Sequence, residues 1–255
     1  MESVLLALSV LENLAATGPI GVSALARKLN EPKTTVHRSL STLHAAGWIR
    51  SLDQSAKHGR QRLWTLSPKL LSLAQRAGQP RLREIALPVM EALRNKTRET
   101  IHLMVPQGRV VVLIERLDSP QPLRIVRPLG GRSLLHVASN GKAVLAYLSA
   151  KEQEAYLARP LKASTPHTIT DSNALRAVLE RVRKNGYAVS LGELDEGVRA
   201  VAAPILGASG APIGSISISC PAQRLPDGRI PRYGALVRSA AEEITRLVRQ
   251  PGVGV

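Results

Sequence analysis

The chain has 255 residues, 44% of them apolar and 21% charged, proportions that fit one large or two ordinary globular domains and exclude a disordered chain. Lys and Arg number 35 against 19 Asp and Glu, a net charge of +16, which favours a polyanionic partner, either nucleic acid or an anionic membrane surface. A single cysteine, Cys220, excludes an intrachain disulfide and a cysteine zinc site, and no window approaches the ~18 apolar residues of a bilayer span.

In chain order, Val4, Leu5, Leu8, Leu11, Leu14 and Ala15 keep helical spacing and predict an amphipathic helix over 3–16. Gly18-Pro19 stops it. Ser23 is placed to cap a second, short helix that buries Leu25, Ala26 and Leu29. Asn30-Glu31-Pro32 predicts a tight turn, with Pro32 suited to the first position of a third helix. In that helix Val36, Leu40 and Leu43 fall at i, i+4 and i+7 and face inward. Lys33, Thr34, Thr35, His37, Arg38 and Ser41 then point outward. Two short helices about a tight turn, the second with a polar, basic outer face, describe a helix-turn-helix. Lys and Arg neutralise phosphates, while Thr and Ser donate to phosphate oxygens. Arg38 suits a bidentate contact with guanine, and Thr34 or Thr35 a thymine methyl. An ordinary solvated helix would show a similar face; the turn before it and the segment after it favour the reader.

That segment predicts two short strands, 47–52 and 60–66, around a polar tip at 53–59. Such a hairpin is a wing, and its Lys57, Arg60 and Arg62 would hold the DNA backbone; a surface hairpin that happens to be basic is the alternative. Trp48 and Trp64 read as its apolar seam. With no Phe and 4 Tyr, stacking on single-stranded bases is not expected. Ser67-Pro68 opens a linker helix, with Ser as N-cap and Pro at the first position, and Gly78-Gln79-Pro80 closes it. The division is thus 1–66, a linker helix at 67–80, and a second domain at 81–255.

The second domain predicts a helix over 81–97 interrupted at Pro88, then strands at 101–105, 110–116 and 123–126. A helix over 139–148 and another capped by Thr170 and ended by Asn185-Gly186 follow. Strands at 188–191, 198–205 and 213–219 and a helix over 233–248 complete it. This order implies α+β with a mainly antiparallel sheet. Ser139-Asn140-Gly141 at a helix start offers unpaired N–H groups and a positive dipole end, a seat for a carboxylate; plain capping by Ser139 is the other reading. Ser217 and Ser219 share one strand face, and hydroxyls turned inward in an Ile-Ser-Ile-Ser run need polar partners. An exposed face would explain them as well.

An enzyme, a metal or a cofactor is not expected. There is no Gly-rich phosphate loop, no Ser elbow and no His-Glu metal motif. Cys220 has no paired His to activate it. His102, His136 and His167 are scattered, and Glu193, Asp195 and Glu196 fit a solvated turn. A purely architectural DNA-binding protein would have no use for so long a second domain.

Residues 3–66 resemble the winged helix-turn-helix of the IclR family of bacterial transcription regulators. The resemblance runs through Leu25-Ala26-Arg27-Lys28-Leu29, Pro32-Lys33-Thr34-Thr35-Val36-His37-Arg38-Ser39-Leu40 and Gly47-Trp48-Ile49. The second domain is similar to the effector domain of that family through Gly141-Lys142-Ala143-Val144-Leu145-Ala146, His167-Thr168-Ile169-Thr170-Asp171 and Gly197-Val198-Arg199-Ala200-Val201-Ala202. The resemblance implies a GAF-like effector domain, a homodimer or homotetramer, and a pocket framed by Ser139, Asn140, Ser190, Val198, Ala200, Ser217 and Ser219. It also implies a small organic acid, aromatic acids included, as effector. Many relatives place Asp where Ser190 stands and Cys where Ala200 stands, so no particular relative's ligand transfers. The expectation is a cytoplasmic regulator that binds a pseudo-palindromic double-stranded operator and has no membrane partner.

Overall fold

The structure, a computed structural model, describes residues 2–56, 59–76 and 80–250. The chain divides into two compact units, Met1–Gly78 and Gln79–Val255. The first begins with α1 (Glu2–Thr17), β1 (Ile20–Gly21), α2 (Val22–Leu29) and α3 (Lys33–Ala45). It continues with β2 (Ile49–Ala56), β3 (Gly59–Leu66) and α4 (Lys69–Arg76). Its core gathers Val10 and Leu14 of α1, Leu25 and Ala26 of α2, Val36, Leu40 and Leu43 of α3, and Ile49 and Trp64 of the hairpin. The inward stripe of α3 is the one its spacing predicts. That of α1 is not, because the helix packs through its second half and leaves Val4, Leu5 and Leu8 more than half exposed.

Asn30 turns the chain between α2 and α3 in the left-handed region, φ 54°, a conformation that Asn tolerates better than most residues. Ser23 does not cap α2. The helix starts two residues earlier, with Gly21 as N-cap, because β1 pairs with β3 at Ile20↔Trp64 and Gly21↔Leu63 and fixes the chain there. The hairpin is longer than predicted, with unbroken antiparallel register from Ile49↔Leu66 to Ala56↔Gly59. Ser67 Oγ accepts from Lys69 N at 3.2 Å, as a residue opening α4 should, and Lys69 Nζ donates to Ala46 O at 2.7 Å.

The second unit holds α5 (Pro80–Thr97), β4 (Thr100–Gln107), β5 (Val110–Leu117), β6 (Arg132–Leu134), α6 (Ser139–Leu145) and α7 (Ala150–Leu157). After these come α8 (Ser172–Asn185), β7 (Ala188–Leu191), β8 (Val198–Leu206), β9 (Pro212–Pro221) and α9 (Ile230–Val248). The strands form one antiparallel sheet in the order β6-β5-β4-β9-β8-β7. Helices cover both faces, so β4 and β9 lie at the centre of three layers. On one face Ile216, Ile218 and Cys220 pack with Leu82 and Met90 of α5 and Val237 and Ile244 of α9. The other face packs Met104, Val111 and Ala202 against α6, α7 and α8 through Val144, Leu145, Tyr156, Leu175 and Leu179.

The strand expected at 123–126 does not form. The carbonyls of Leu123, Ile125 and Arg127 accept instead from Arg224, Thr100 and Arg116 side chains. Alternate carbonyls are therefore satisfied without a neighbouring strand, and the edge position goes to β6. Helix α7 was not expected, although Ser149 and Glu152 form a capping box at its start and that spacing is visible in the chain. Asp171, not Thr170, caps α8, its carboxylate accepting from Ala174 N at 2.7 Å. Helix α6 stops at Leu145, short of the expected 148.

Candidate functional site

In the first unit Lys33, Thr34, His37, Arg38 and Ser41 are exposed on α3 and Thr35 is half-buried. Thr34, Arg38 and Ser41 fall at i, i+4 and i+7 and so share a face. No hydrogen-bond or ion-pair partner among the described residues holds the Arg38 guanidinium, and α3 carries no acidic residue to neutralise it. Arg62 is exposed on β3 with its guanidinium 5.9 Å from the Trp64 ring centroid. Lys57 lies outside the described residues, as does the side chain of Arg60. Trp64 is buried in the core and Trp48 packs against it, the seam that the sequence predicts.

In the second unit a cavity of about 40 Å³ opens between the sheet and α6. Sheet register explains which residues meet there. Ser217 pairs with His102 of β4 and with Ala202 of β8; Ser219 pairs with Thr100 and Ala200, and Ala200 with Ser190. Directly paired residues project to the same face, so β9 turns Ile216 and Ile218 to one core and Ser217 and Ser219 to the cavity. Ser217 and Ser219 are buried, which excludes the exposed-face reading. Ser139, Asn140, Ser190, Val198, Ala200, Ser217 and Ser219 all line the cavity. Gly141 does not; a Cβ there would sit 2.4 Å from the Leu135 carbonyl oxygen, so this glycine lets α6 approach the chain before it. Ala138 is the residue that caps α6, without a side-chain bond, so Ser139 is no cap.

Asn140 Nδ2 donates to Ser217 Oγ at 2.7 Å, and Ser190 Oγ donates to the Val137 carbonyl at 3.2 Å. Two buried atoms on the wall, His102 Nε2 and Asn140 Oδ1, have no hydrogen-bond partner among the described residues. Four further polar residues that sequence reasoning did not place here also line the cavity: His102, Arg127, Ser133 and Asp195. Arg127 and Asp195 form an ion pair. The expected solvated turn at Glu193, Asp195 and Glu196 is corrected at Glu193, whereas Asp195 and Glu196 are exposed. Glu193 is buried against Lys142, whose Nζ lies 2.5 Å from Glu193 Oε1, and Asp195 faces the cavity. His102 shares a face with Met104 in the strand predicted at 101–105; that alternation is the only signal it left.

Burial, reinforced by Arg127 and Arg116, pulls the His102 imidazole down from 6.5 to about 3. The unfolded chain binds this proton near pH 6.5 and the folded one does not. Stability contributed by neutral His102 is therefore present above pH 6.5 and is lost as pH falls towards 3. Between pH 7.5 and 5 the wild type should lose about 2 kcal/mol more than His102→Asn. Urea unfolding of both proteins at the two pH values measures this, and parallel losses would show that His102 is not held neutral. Cys220 is buried, and that burial raises its thiol to about 12, so it is not a nucleophile. Among the described residues no group of three or more His, Cys, Asp or Glu could hold a metal, and no helix is long and apolar enough to cross a membrane.

Comparison with known proteins matches both units of the chain. Residues 3–53 match the IclR helix-turn-helix domain and residues 75–246 the C-terminal region of the bacterial transcriptional regulator IclR. The HTH-type transcriptional regulator KdgR of Escherichia coli strain K12 is 33% identical over 248 residues, 96% of this chain and 92% of that protein. The crystal structure of the Thermotoga maritima IclR superposes with a TM-score of 0.79 at 29% identity, covering 98% of this chain and all of that one. An IclR homolog from Microbacterium hydrocarbonoxydans, crystallised with 4-hydroxybenzoate, gives 0.74 at 26% identity over 96% of this chain and 98% of its own.

Proposed function

Because the chain belongs to the IclR family of bacterial transcriptional regulators, we propose that it binds a specific operator through α3 and the wing and that a small organic acid in the second unit modulates that binding. The observation that carries the DNA-reading half is α3 itself. Its apolar stripe is consumed by the core, and its outer face presents Lys33, Thr34, His37, Arg38 and Ser41 with no opposing acid. Recognition by paired subunits on a pseudo-palindrome follows from the two-fold symmetry such a dimer would share with its operator. The exposed Val4, Leu5 and Leu8 of α1 supply apolar surface of the kind subunit contacts use.

The cavity supports the acid. Its walls combine apolar Met104, Leu194, Val198 and Ala200 with hydroxyls and one guanidinium, the mixture by which sites orient a small polar ligand. At about 40 Å³ it has room for roughly three water molecules, so a ligand must widen it. That movement is how binding would favour one arrangement of the subunits, and its leverage equals the ligand's difference in affinity between arrangements. A small-molecule enzyme is the weaker reading: the relatives are named transcriptional regulators and repressors.

The test begins with selection of bound duplexes from a random pool, which should return inverted half-sites. Arg38→Ala should then weaken binding to the selected duplex by about 1–3 kcal/mol and relax base preference at one position. Unchanged affinity and preference in that variant would remove Arg38 from the interface. An effector acid held at ~100 times its dissociation constant should stabilise the protein by about 2.7 kcal/mol in thermal unfolding and release the selected duplex.

A further inference from the structure

We propose that Arg127 is the residue that takes the ligand's carboxylate, and that Asp195 is its built-in competitor, holding that position until a ligand displaces it. This inference rests on the reading of the cavity as an acid site and assigns its chemistry. Arg127 is the only cationic side chain among the described residues that line the cavity, since His102 stays neutral there. Asp195 is the only residue whose side chain is hydrogen-bonded to the Arg127 guanidinium among the described residues. Their side chains are 28% and 49% exposed, whereas Ser139, Asn140, Ser190, Ser217 and Ser219 are buried. The ion pair therefore stands on the open side of the cavity and the polar floor lies behind it.

The flanking structure suits an exchange. Glu193, two residues before Asp195, is tied down twice: its carboxylate by Lys142, and its carbonyl by Thr168 Oγ1 at 2.7 Å. Gly192 and Gly197 bracket the segment at φ 76° and 73°, so the turn can be tight. The Asp195 side chain has no hydrogen bond besides that to Arg127 among the described residues, while its backbone carbonyl accepts from Val198 N at 3.2 Å and fixes the turn. A half-exposed pair of this kind is weak, because water screens it and ordering its side chains costs entropy. Exchanging one carboxylate for another keeps the guanidinium paired, since its planar fork accepts either. It also moves the one charged wall away from the cavity, which must widen to admit a ligand. The far end of the ligand then meets Asn140 Oδ1 and His102 Nε2, the two buried atoms that lack partners.

The experiment is titration calorimetry of the full-length wild type, Asp195→Asn and Arg127→Gln. The probes are lactate, pyruvate, glycerate, benzoate and 4-hydroxybenzoate, each compared with its neutral amide. At least one acid should bind the wild type and its amide should not. Asp195→Asn should bind that acid about two- to fivefold more tightly, because the competitor is gone. Arg127→Gln should bind it at least about tenfold more weakly, through loss of a charged hydrogen bond. A gain of affinity in Asp195→Asn cannot arise from misfolding. Binding of an acid, but not of its amide, equally to all three proteins would overturn the exchange and leave the acid reading intact; equal binding of acid and amide would overturn both. If no acid binds either the wild type or Asp195→Asn while both unfold cooperatively, the acid reading fails and the exchange with it.

Discussion

Lys142→Met should cost about 3–5 kcal/mol of stability, because it leaves the Glu193 carboxylate buried without its partner. Lys142 is 1% exposed within α6 and the side chain of Glu193 is 8% exposed. Burial lowers the lysine's pKa, and the attraction of Glu193, although it opposes this, does not restore the ordinary value. Desolvation of the ammonium thus exceeds what the carboxylate returns, so the pair adds little net stability. Removing both charges should accordingly be tolerated: Lys142→Met with Glu193→Leu should unfold within about 1–2 kcal/mol of the wild type. Urea denaturation of the two single variants and the double variant closes the cycle. A double variant as unstable as Lys142→Met would show that the cost lies in packing of α6 and not in the stranded charge. The pair also ties α6 to the turn that carries Asp195, so the same variants report whether that tie holds the cavity wall in place.

Gly141→Ala should be nearly as damaging, at about 3 kcal/mol. Overpacking a core usually costs about 1–3 kcal/mol. Here the added methyl would lie 2.4 Å from the Leu135 carbonyl oxygen and 2.5 Å from its Cα. These are backbone atoms, which cannot rotate aside as a side chain can, so the cost belongs at the upper end. Every residue of α6 is buried, leaving the helix no direction in which to retreat. Thermal unfolding with an intact wing would show the loss confined to the second unit. A melting temperature within a degree of the wild type would mean that the chain at Leu135 yields freely.

Much of the DNA-reading unit was legible before any coordinates, because its signals are local. Val36, Leu40 and Leu43 repeat at the period of one helix, and that period alone assigns Arg38 and Thr34 to the opposite face. Where a neighbour intervened the reading slipped: α1 carries apolar residues along its whole length, and only its packing partners decide that Val10 and Leu14 are inside while Val4 and Leu5 are not. Strand pairing likewise overrode the cap assigned to Ser23, and the side chains of Arg224, Thr100 and Arg116 satisfied carbonyls in and beside the strand expected at 123–126.

The cavity divides in the same way. Alternation along β9, a two-residue period, already put Ser217 and Ser219 on one face and the isoleucines on the other. What occupies the space opposite that face is a property of sheet order. β4 and β9 stand more than a hundred residues apart in the chain and are neighbours in the sheet, so His102 meets Ser217 through register that no local pattern encodes. Arg127 and Asp195 come from two loops with no periodicity at all, and they meet because the strands before them place both loops at one end of the cavity. The sequence by itself determined which faces of α3 and β9 are apolar, since burial follows the repeat of each element. Tertiary structure alone decided which charges meet, since that depends on contacts between elements that the chain keeps far apart.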